Sequence, residues 1–273
     1  PAGADTGSAN VEEVQGIDEP RPVGVADGSF VFAPMPSSSP AIGTGLALAM
    51  SWIYLADEQS DPSKLFTGIF KTDNGSHGLV GGGAFNFHQN KYRLKAVGGH
   101  FEIYYDLNVN GVQVPIQQDN EVGRLEGGYR LSDEFLAGGF YRWRNNTTKP
   151  DDVELPDALL DQLAMTINEV GGFLEWDRRN EVFTPSSGAF GTLSVSHATA
   201  DGIIDRDYWH TIATLAGYHE LPGGVGAGYI VACSSGAEAP FFDQCGIGAV
   251  DNFRGYASGQ VYDEQLLSFQ GEY

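Results

Sequence analysis

The most reactive part of the sequence lies near its C-terminal end, where two cysteines are followed by an Arg-Gly-Tyr tripeptide. Cys233 and Cys245 lie twelve positions apart among small and turn-forming residues. This spacing suits a loop-closing disulfide in an oxidising compartment, with two unrelated thiols as the alternative. In the tripeptide that follows, Gly255 permits a tight turn that a side chain would block. Arg254 would need a bidentate carboxylate in a confined site, or would remain an exposed loop residue that needs no partner.

Sequence signatures of the common enzyme classes do not occur in the chain. There is no Gly-x-Ser-x-Gly nucleophile elbow, His-Glu-x-x-His zinc motif, P-loop or Gly-x-Gly-x-x-Gly dinucleotide motif. The six histidines show no metal-ligand spacing. One weak hint of a hydrolase is His197, which lies near Asp201 and Asp205 and could form a catalytic His–Asp pair. We therefore expect neither enzymatic activity nor a cofactor nor a bound metal.

The composition favours a sheet protein and argues against a nucleic-acid partner. Acidic residues number 36 and basic residues 15, so the net charge is −21, and no basic cluster is dense enough to follow a phosphate backbone. The 37 glycines and an aromatic content of 12% suit strands with aromatic girdles. No stretch reaches the roughly 18 consecutive apolar residues of a membrane-spanning helix. Residues 1–27 are acidic and polar with few large apolar side chains, and we expect a disordered leader there.

From Ser29 onward the hydrophobic pattern repeats every two residues, as it does in β-strands. Large apolar residues alternate with small or polar ones, and the apolar set is predicted to face outward. In one segment Tyr141 and Trp143 alternate with Arg142 and Arg144. The same alternation predicts outward residues at Leu46, Leu48, Met50, Trp52, Tyr54, Leu125, Tyr129, Leu193, Val195, Leu267, Phe269 and Tyr273.

Turn-rich stretches with Asn-Gly and Pro-Gly pairs separate the alternating segments, as they do between antiparallel strands. Two segments mix their faces, and bulges at Gly98-Gly99 and near Gly217 would account for the mixing. One competing helix candidate spans residues 155–163. Twelve strands are predicted, at 29–35, 43–55, 63–73, 77–88, 91–107, 112–131, 134–146, 159–177, 188–200, 206–220, 224–233 and 261–273.

An apolar face on one side of each strand and a small or polar face on the other is the pattern of a membrane barrel. In hydrocarbon, unpaired backbone groups are too costly, so a sheet must close on itself, with apolar side chains towards lipid and a lumen that can be wet. A water-soluble sandwich or barrel is the alternative, but it would place its bulky face inside and charged residues outside. The predicted fold class is therefore all-β, a transmembrane antiparallel β-barrel.

Three segments of the chain resemble a known family. They are the first hairpin at 29–46, the turn Asp177-Arg178-x-Asn180 with Pro185-x-x-Gly188, and the loop motif Phe253-Arg254-Gly255-Tyr256. Together with the strand pattern, these segments resemble the bacterial surface-antigen family. This family is the barrel domain of BamA/TamA-type outer-membrane assembly factors and is related to two-partner-secretion transporters. The resemblance spans about residues 29–273.

This resemblance implies a barrel of sixteen strands with its Arg-Gly-aromatic loop between the eleventh and twelfth strands. The predicted strands put Arg254 in the same gap. Residues 28–273 would then form an outer-membrane barrel domain in which about four C-terminal strands are missing. The leader, residues 1–27, is expected to be too short for the periplasmic repeats that usually precede such a barrel. The long loop is expected to fold into the lumen.

Site residues follow from the same resemblance. In the family the loop arginine contacts acidic residues of the lumen, and Arg254 is the matching arginine here. Glu272, on the inward face of the following strand, is its proposed partner, and Glu126 and Glu169 are more distant candidates. The matched turn is expected to be structural and to lie on the periplasmic side. Its residues are Asp177, Arg178, Asn180, Pro185 and Gly188.

The implied function is that of an outer-membrane barrel which helps polypeptides to enter or cross the bacterial outer membrane. The alternative is a passive outer-membrane channel or a structural surface antigen without chaperoning activity. Expected partners are outer-membrane lipid and lipopolysaccharide, together with unfolded outer-membrane or secreted polypeptides as clients. No nucleic-acid partner is expected. The expected location is the bacterial cell outer membrane.

Overall fold

A single antiparallel sheet of twelve strands makes up most of the chain. The computed structural model describes residues 23–39, 43–109, 112–151, 164–182, 184–240, 243–247 and 262–273. The strands of the sheet are β1 (Ser29–Ser39), β2 (Gly43–Tyr54), β3 (Ser63–Thr72), β4 (His77–Phe87), β5 (Tyr92–Val109), β6 (Val112–Arg130), β7 (Phe135–Pro150), β8 (Ala164–Asp177), β9 (Gly188–Asp201), β10 (Arg206–Leu221), β11 (Gly224–Ser235) and β14 (Gln265–Glu272). Between the last two, β12 (Cys245–Gly246) and β13 (Tyr262–Asp263) pair with each other as a separate short ribbon.

Each strand of the sheet pairs with its neighbours in chain order, from β1 to β11 and then to β14. All twelve predicted strands are present, so this part of the sequence prediction is confirmed. Strands β1 and β14 form the two edges, and the described residues show no pairing between them. Within the described ranges, no helix is long and apolar enough to cross a membrane.

The two predicted bulges are wrong. Residue pairing runs without a break through both Gly98 and Gly217. Glycines in β5 instead leave room for aromatic rings, since a Cβ on Gly99 would lie 2.7 Å from Cζ of Phe101. The mixed face of β5 therefore reflects a ring packed onto a glycine in a regular strand.

Large apolar side chains cover the outer face of the sheet, as the alternation predicted. Leu125 is 60% exposed, Val170 64% and Phe269 62%. The opposite, concave face carries polar side chains, of which Ser196 and Ser268 are buried. A water-soluble protein would bury the first set and expose the second. A large exposed apolar surface marks a membrane or protein interface, so the outer face is the one suited to lipid and the concave face is the lumen side.

The buried core lies on the lumen face, beneath the segment that follows β11. Its members are Ile167, Ala198, Ala200, Tyr208 and Ala239, with Met165 packed against them. Ala239 belongs to the connection between β11 and β14, whereas the other members lie on β8, β9 and β10. The connection therefore folds back over the lumen face of these three strands. Its described part, residues 236–240 and 243–247, is called the lumen segment below.

The C-terminal end of the predicted leader contacts the sheet. Residues 25–27 form a 3-10 turn, and Trp52 Nε1 on β2 donates a hydrogen bond of 2.8 Å to the Val25 carbonyl oxygen. This bond satisfies the indole and fixes the turn against the sheet. The rest of the predicted leader, residues 1–22, and the helix candidate at 155–163 lie outside the described residues.

Gly188, at the start of β9, provides a test of the turn that joins β8 to β9. Its φ is +98°, and a Cβ there would lie 2.1 Å from the Arg178 carbonyl oxygen. We expect Gly188→Ala to lower the free energy of unfolding by about 1–3 kcal/mol, because an L-residue is strained in this region. Gly217→Ala is the matched control, since a Cβ on Gly217 meets nothing within 4 Å. Denaturant titration in detergent micelles checks both variants, and equal stability of the two would contradict the prediction.

Candidate functional site

A network of paired charges covers the lumen face of β5, β6 and β8. Arg93 Nη1 donates to Glu175 Oε2 over 2.7 Å, and Arg93 Nη2 donates to Glu126 Oε1 over 3.3 Å. Glu126 oxygens also lie 3.2 Å from Lys95 Nζ and 3.1 Å from Arg124 Nη2. Lys95 and Glu126 are directly opposite each other in the β5–β6 register, so strand pairing itself brings the charges together. These five residues are called the wall network.

Two phenylalanine rings cover the arginines of the wall network. Cζ of Arg124 lies 3.8 Å from the ring centroid of Phe140, and Cζ of Arg93 lies 5.6 Å from that of Phe173. A guanidinium over a ring face gains cation–π attraction, and the gain is larger where water is excluded. The rings and the carboxylates together fix both guanidinium groups against the wall.

A second network joins the lumen segment to the wall through Asp243. The Tyr208 hydroxyl donates to Asp243 Oδ2 over 2.6 Å. Asp243 Oδ1 forms ion pairs with Arg144 Nη2 and, at 3.5 Å, with Arg142 Nη2. The Asp243 side chain is only 6% exposed, and a buried carboxylate needs such partners to offset its lost hydration. The lumen segment is therefore anchored to β7 and β10 by one acidic side chain.

Arg142 is shared between the lumen segment and the wall. Its Nη2 also pairs with Glu169 Oε2 on β8, and the Ser196 hydroxyl on β9 donates to Glu169 Oε1 over 2.5 Å. Both partners of Glu169 are strand residues, so this part of the network belongs to the wall. The ion pair of Arg144, by contrast, is with the loop residue Asp243.

A disulfide between Cys233 and Cys245 ties the lumen segment to β11, which confirms the predicted bond. The two Cα atoms are 5.7 Å apart, and both residues are buried. His210 Nε2 lies 3.4 Å from Cys233 Sγ. Within the described residues, these three side chains are the one cluster with metal-ligand spacing, but sulfurs bonded to each other are not the thiolates that bind metals. In the oxidised protein the cluster therefore fastens the loop.

The surroundings of Asp243 favour its charged form. Burial alone would raise its pKa, but Arg144 and Arg142 outweigh burial and hold the pKa of this carboxyl below its ordinary value. The hydroxyl of Tyr208 acts in the same direction. The carboxylate is therefore an ionised anchor at neutral pH.

The loop motif carried by the family resemblance is outside the described residues, at Phe253, Arg254, Gly255 and Tyr256. The proposed ion pair of Arg254 with Glu272 stays a prediction. Glu272 is exposed at the end of β14, on the same face as Ser268. The two more distant candidates are engaged elsewhere, because Glu126 belongs to the wall network and Glu169 pairs with a β7 arginine.

The alternation pattern places Arg142 and Arg144 on the lumen face but gives no sign of Asp243, their carboxylate partner. Alternation finds strand residues that share a face, whereas the path of a long loop across that face leaves no periodic signal. One clue was available. Asp243 lies two positions before Cys245, so the predicted disulfide would bring it close to the wall.

Asn180 and Gly188 shape the predicted turn between β8 and β9. Asn180 Oδ1 accepts hydrogen bonds from the backbone nitrogens of Ser186 and Ser187, each over 3.0 Å. Pro185 comes directly before this bonded pair, and Gly188 then enters β9 with its positive φ. Because strands alternate in direction, the turn lies at the end of the sheet opposite the lumen segment. It contacts no part of the Asp243 network in the described residues, which suits a structural role.

Asp177 binds Arg179 rather than the neighbouring Arg178. Its carboxylate accepts from Arg179 Nε over 2.9 Å and from Arg179 Nη2 over 2.7 Å, and the same guanidinium lies 4.4 Å from the centroid of Phe190. Arg178 instead pairs with Glu134 of the β6–β7 turn at 3.0 Å. Adjacent residues point in different directions, so each arginine serves a different contact, and Arg179 was missed by the motif.

His197 pairs with Asp207, and not with Asp201 or Asp205 as the sequence suggested. Its ring also packs edge-on against Trp209, with centroids 5.0 Å apart. The β9–β10 register places Trp209 directly opposite His197. The pair lies on the outer, apolar face and not at the lumen networks.

Comparisons with known proteins support the fold. A scan against protein-family models and a search of the curated proteins gave no match. Among solved structures, the chain is similar to BamA from Haemophilus ducreyi lacking POTRA domains 1–3, with a TM-score of 0.55 and 14% identity over 86% of this chain and 46% of that chain. It is also similar to CdiB from Acinetobacter baumannii, with a TM-score of 0.52 and 10% identity over 89% of this chain and 51% of that chain.

The chain thus spans about half the length of the structures it matches. At these identities the likeness shows the fold, and it confirms the predicted class, an antiparallel transmembrane β-barrel. The described residues supply twelve strands in an open sheet. The lumen networks and the lumen segment lie on the concave face of this sheet.

Removing one carboxylate tests the wall network. We expect Glu175→Gln to lower the free energy of unfolding by about 1.5–3 kcal/mol, because Arg93 loses a charged hydrogen-bond partner. Glu58→Gln, in the exposed β2–β3 loop, is the matched control. Denaturant titration in micelles measures both. A Glu175→Gln protein as stable as the control would show that the network contributes nothing to stability.

The lowered pKa of Asp243 predicts how acid affects the lumen segment. A depressed folded-state pKa contributes stability above the ordinary aspartate value of about 3.9, and this contribution is lost as the pH falls through the lower folded value. Among the described residues, the charged and titratable groups around Asp243 are Arg142, Arg144, Tyr208 and His210, with Glu169 on the far side of Arg142. We therefore expect a phosphine reductant to attack the buried disulfide slowly at pH 7 and faster only below about pH 4.

Asp243→Asn is the control for this pH series. It removes the titrating group, so its disulfide should be reduced quickly throughout the range. A wild-type reduction rate that changes with pH in the same way as the variant's would contradict the assignment of the acid response to Asp243.

Proposed function

We propose that the chain forms an outer-membrane β-barrel that inserts or transports polypeptides in the bacterial outer membrane. The observation that carries this proposal is the ordered lumen segment, which Asp243 and the Cys233–Cys245 disulfide fix to the wall. A fixed segment over the lumen face suits a barrel whose passage is controlled rather than permanently open. The similarity of fold to BamA and CdiB supports the same kind of function.

The outer-membrane location rests on the reversal of faces. Large apolar side chains such as Leu125 and Phe269 are exposed on the outer face, while the paired charges lie on the concave face. Strands with this arrangement are stable in lipid only when their backbone groups are paired with neighbouring strands. The outer-membrane lipids, including lipopolysaccharide, are the proposed partners of this face.

The charged groups of the lumen are proposed to act in binding and anchoring and not in catalysis. Arg93, Arg124 and Arg142 each contact a carboxylate. Groups paired in this way stabilise the wall and offer a polar surface to a passing chain.

A passive channel is the second candidate, and the wall network is the observation that favours it. A polar, charged lumen wall is typical of barrels that hold water and ions. In such a protein the lumen segment would narrow the pore without responding to a client. The two candidates differ in whether a polypeptide is inserted faster when the barrel is present.

Reconstitution of the full-length protein in liposomes tests the proposal. Unfolded client barrel protein is added from outside, and its folding is followed by protease protection and by the gel shift of the folded form. We expect the client to fold at least several times faster in these liposomes than in two controls. One control contains the Gly188→Ala protein after heating has unfolded it, and the other contains no protein. Ion conductance with no effect on client folding would favour the channel and overturn the proposal.

A further inference from the structure

The carboxylate that Arg142, Arg144 and Tyr208 bind comes from a loop, whereas the three residues that bind it are strand residues of the wall. We propose that these three residues form a carboxylate-binding cradle, that Asp243 occupies it in the resting barrel, and that acidic side chains of a polypeptide in the lumen compete for it. The second part of this inference rests on the proposed function. The cradle itself does not.

The cradle binds both oxygens of one carboxylate. Tyr208 donates to Oδ2 over 2.6 Å, and Arg144 and Arg142 pair with Oδ1. A hydrogen bond to one oxygen and ion pairs to the other favour one orientation of the planar group as well as its negative charge. The shape therefore fits a carboxylate better than a spherical anion such as chloride.

Contacts other than those with Asp243 hold the three cradle residues in place. Arg142 and Arg144 lie on β7, and Tyr208 lies on β10, where this residue is 3% exposed and belongs to the core. Arg142 is also held by Glu169, which Ser196 binds in turn. The cradle should therefore persist when the loop carboxylate is absent.

Arg144 makes an empty cradle unfavourable. Its ion pair is with Asp243, and its side chain is 19% exposed. When a partly buried guanidinium loses its anion, contact with water does not restore the hydration free energy that burial removed. An anion from another source is therefore expected to take the position of the Asp243 carboxylate.

Glu169 limits the kind of anion that fits. Its Oε2 and Asp243 Oδ1 share Arg142 Nη2, so two negative groups already approach one cation. A dianion such as phosphate would add repulsion from Glu169. A monovalent carboxylate, such as the side chain of Asp or Glu, repeats the charge that the site already holds.

The tether on Asp243 determines which anions can replace its carboxylate in the cradle. Asp243 is held next to the cradle by the Cys233–Cys245 disulfide, so it acts at a high effective concentration, on the order of millimolar for a short tether. A dilute small anion cannot compete with it. A polypeptide that presents several carboxylates inside the lumen also acts at a high local concentration, and it is the competitor that the geometry favours.

Anion rescue of Asp243→Ala tests the cradle in the full-length, disulfide-bonded protein. The readout is the rate at which a phosphine reduces the disulfide at pH 7, with sodium acetate compared with sodium chloride at equal ionic strength. We expect faster reduction in the variant, and acetate should slow it about tenfold at ten times its Kd, since protection follows 1 + [L]/Kd. Wild-type protein and Asp243→Ala/Arg144→Gln should not respond to acetate.

Folding is checked first by the gel shift on heating, and Asp243→Ser replaces the alanine variant if that variant does not fold. A folded variant whose reduction rate is the same in acetate and chloride would overturn the cradle.

Competition by polypeptide forms the second arm. A Glu-rich peptide added to wild-type protein should accelerate reduction of the disulfide, and the matching Gln-rich peptide should not. Equal effects of the two peptides would overturn the role of the client carboxylate while leaving an anion cradle. Failure of the client-folding assay with intact acetate rescue would count against the proposed function alone, so the two failures can be told apart.

Discussion

Because the outer face is apolar, the charged side chains at the centres of the strands lie on the lumen face and pair with each other there. Arg93 and Arg142 each pair with a glutamate on another strand, and Arg124 pairs with a glutamate on its own strand. In confined surroundings an unpaired charge is strongly unfavourable, so the pairing is a condition for the fold. The alternation that makes the outside suitable for lipid is thus the same alternation that assembles the lumen networks.

Asp243 extends this constraint from the wall to the loop. Arg144 has a loop carboxylate as its ion-pair partner, so satisfying the wall also positions the lumen segment. The Cys233–Cys245 disulfide limits how far the segment can move from that position. Charge pairing and the covalent bond therefore act together. Whether Asp243 occupies the cradle is linked to whether the lumen segment lies against the wall.

Strand positions and faces could be predicted from the sequence because each depends on a local pattern. Two-residue alternation placed Tyr141 and Trp143 outside and Arg142 and Arg144 inside, and the structure agrees. The predicted bulge near Gly98 was wrong. A glycine that makes room for an aromatic ring cannot be distinguished in the sequence from a glycine that interrupts the strand pairing.

The candidate site could be predicted only in part. The disulfide followed from cysteine spacing, but the meeting of Asp243 with β7 and β10 depends on the path of a loop, which no periodicity encodes. Likewise, Asp177 was recognised as a turn residue, whereas its choice of Arg179 over Arg178 depends on side-chain direction. The family resemblance pointed to the motif at Arg254, whereas the contacts of the described residues show that Asp243 anchors the lumen segment.

The whole arrangement requires that the apolar face meets lipid and that the paired charges face the lumen. Single fluorescently labelled cysteines along β9, at Thr192, Leu193, Ser194 and Val195, test it most directly in bilayers that contain brominated lipid. The native cysteines do not take the label because they are bonded to each other. We expect strong quenching at Leu193 and Val195 and little at Thr192 and Ser194. Uniform quenching, or none at any of the four positions, would contradict it.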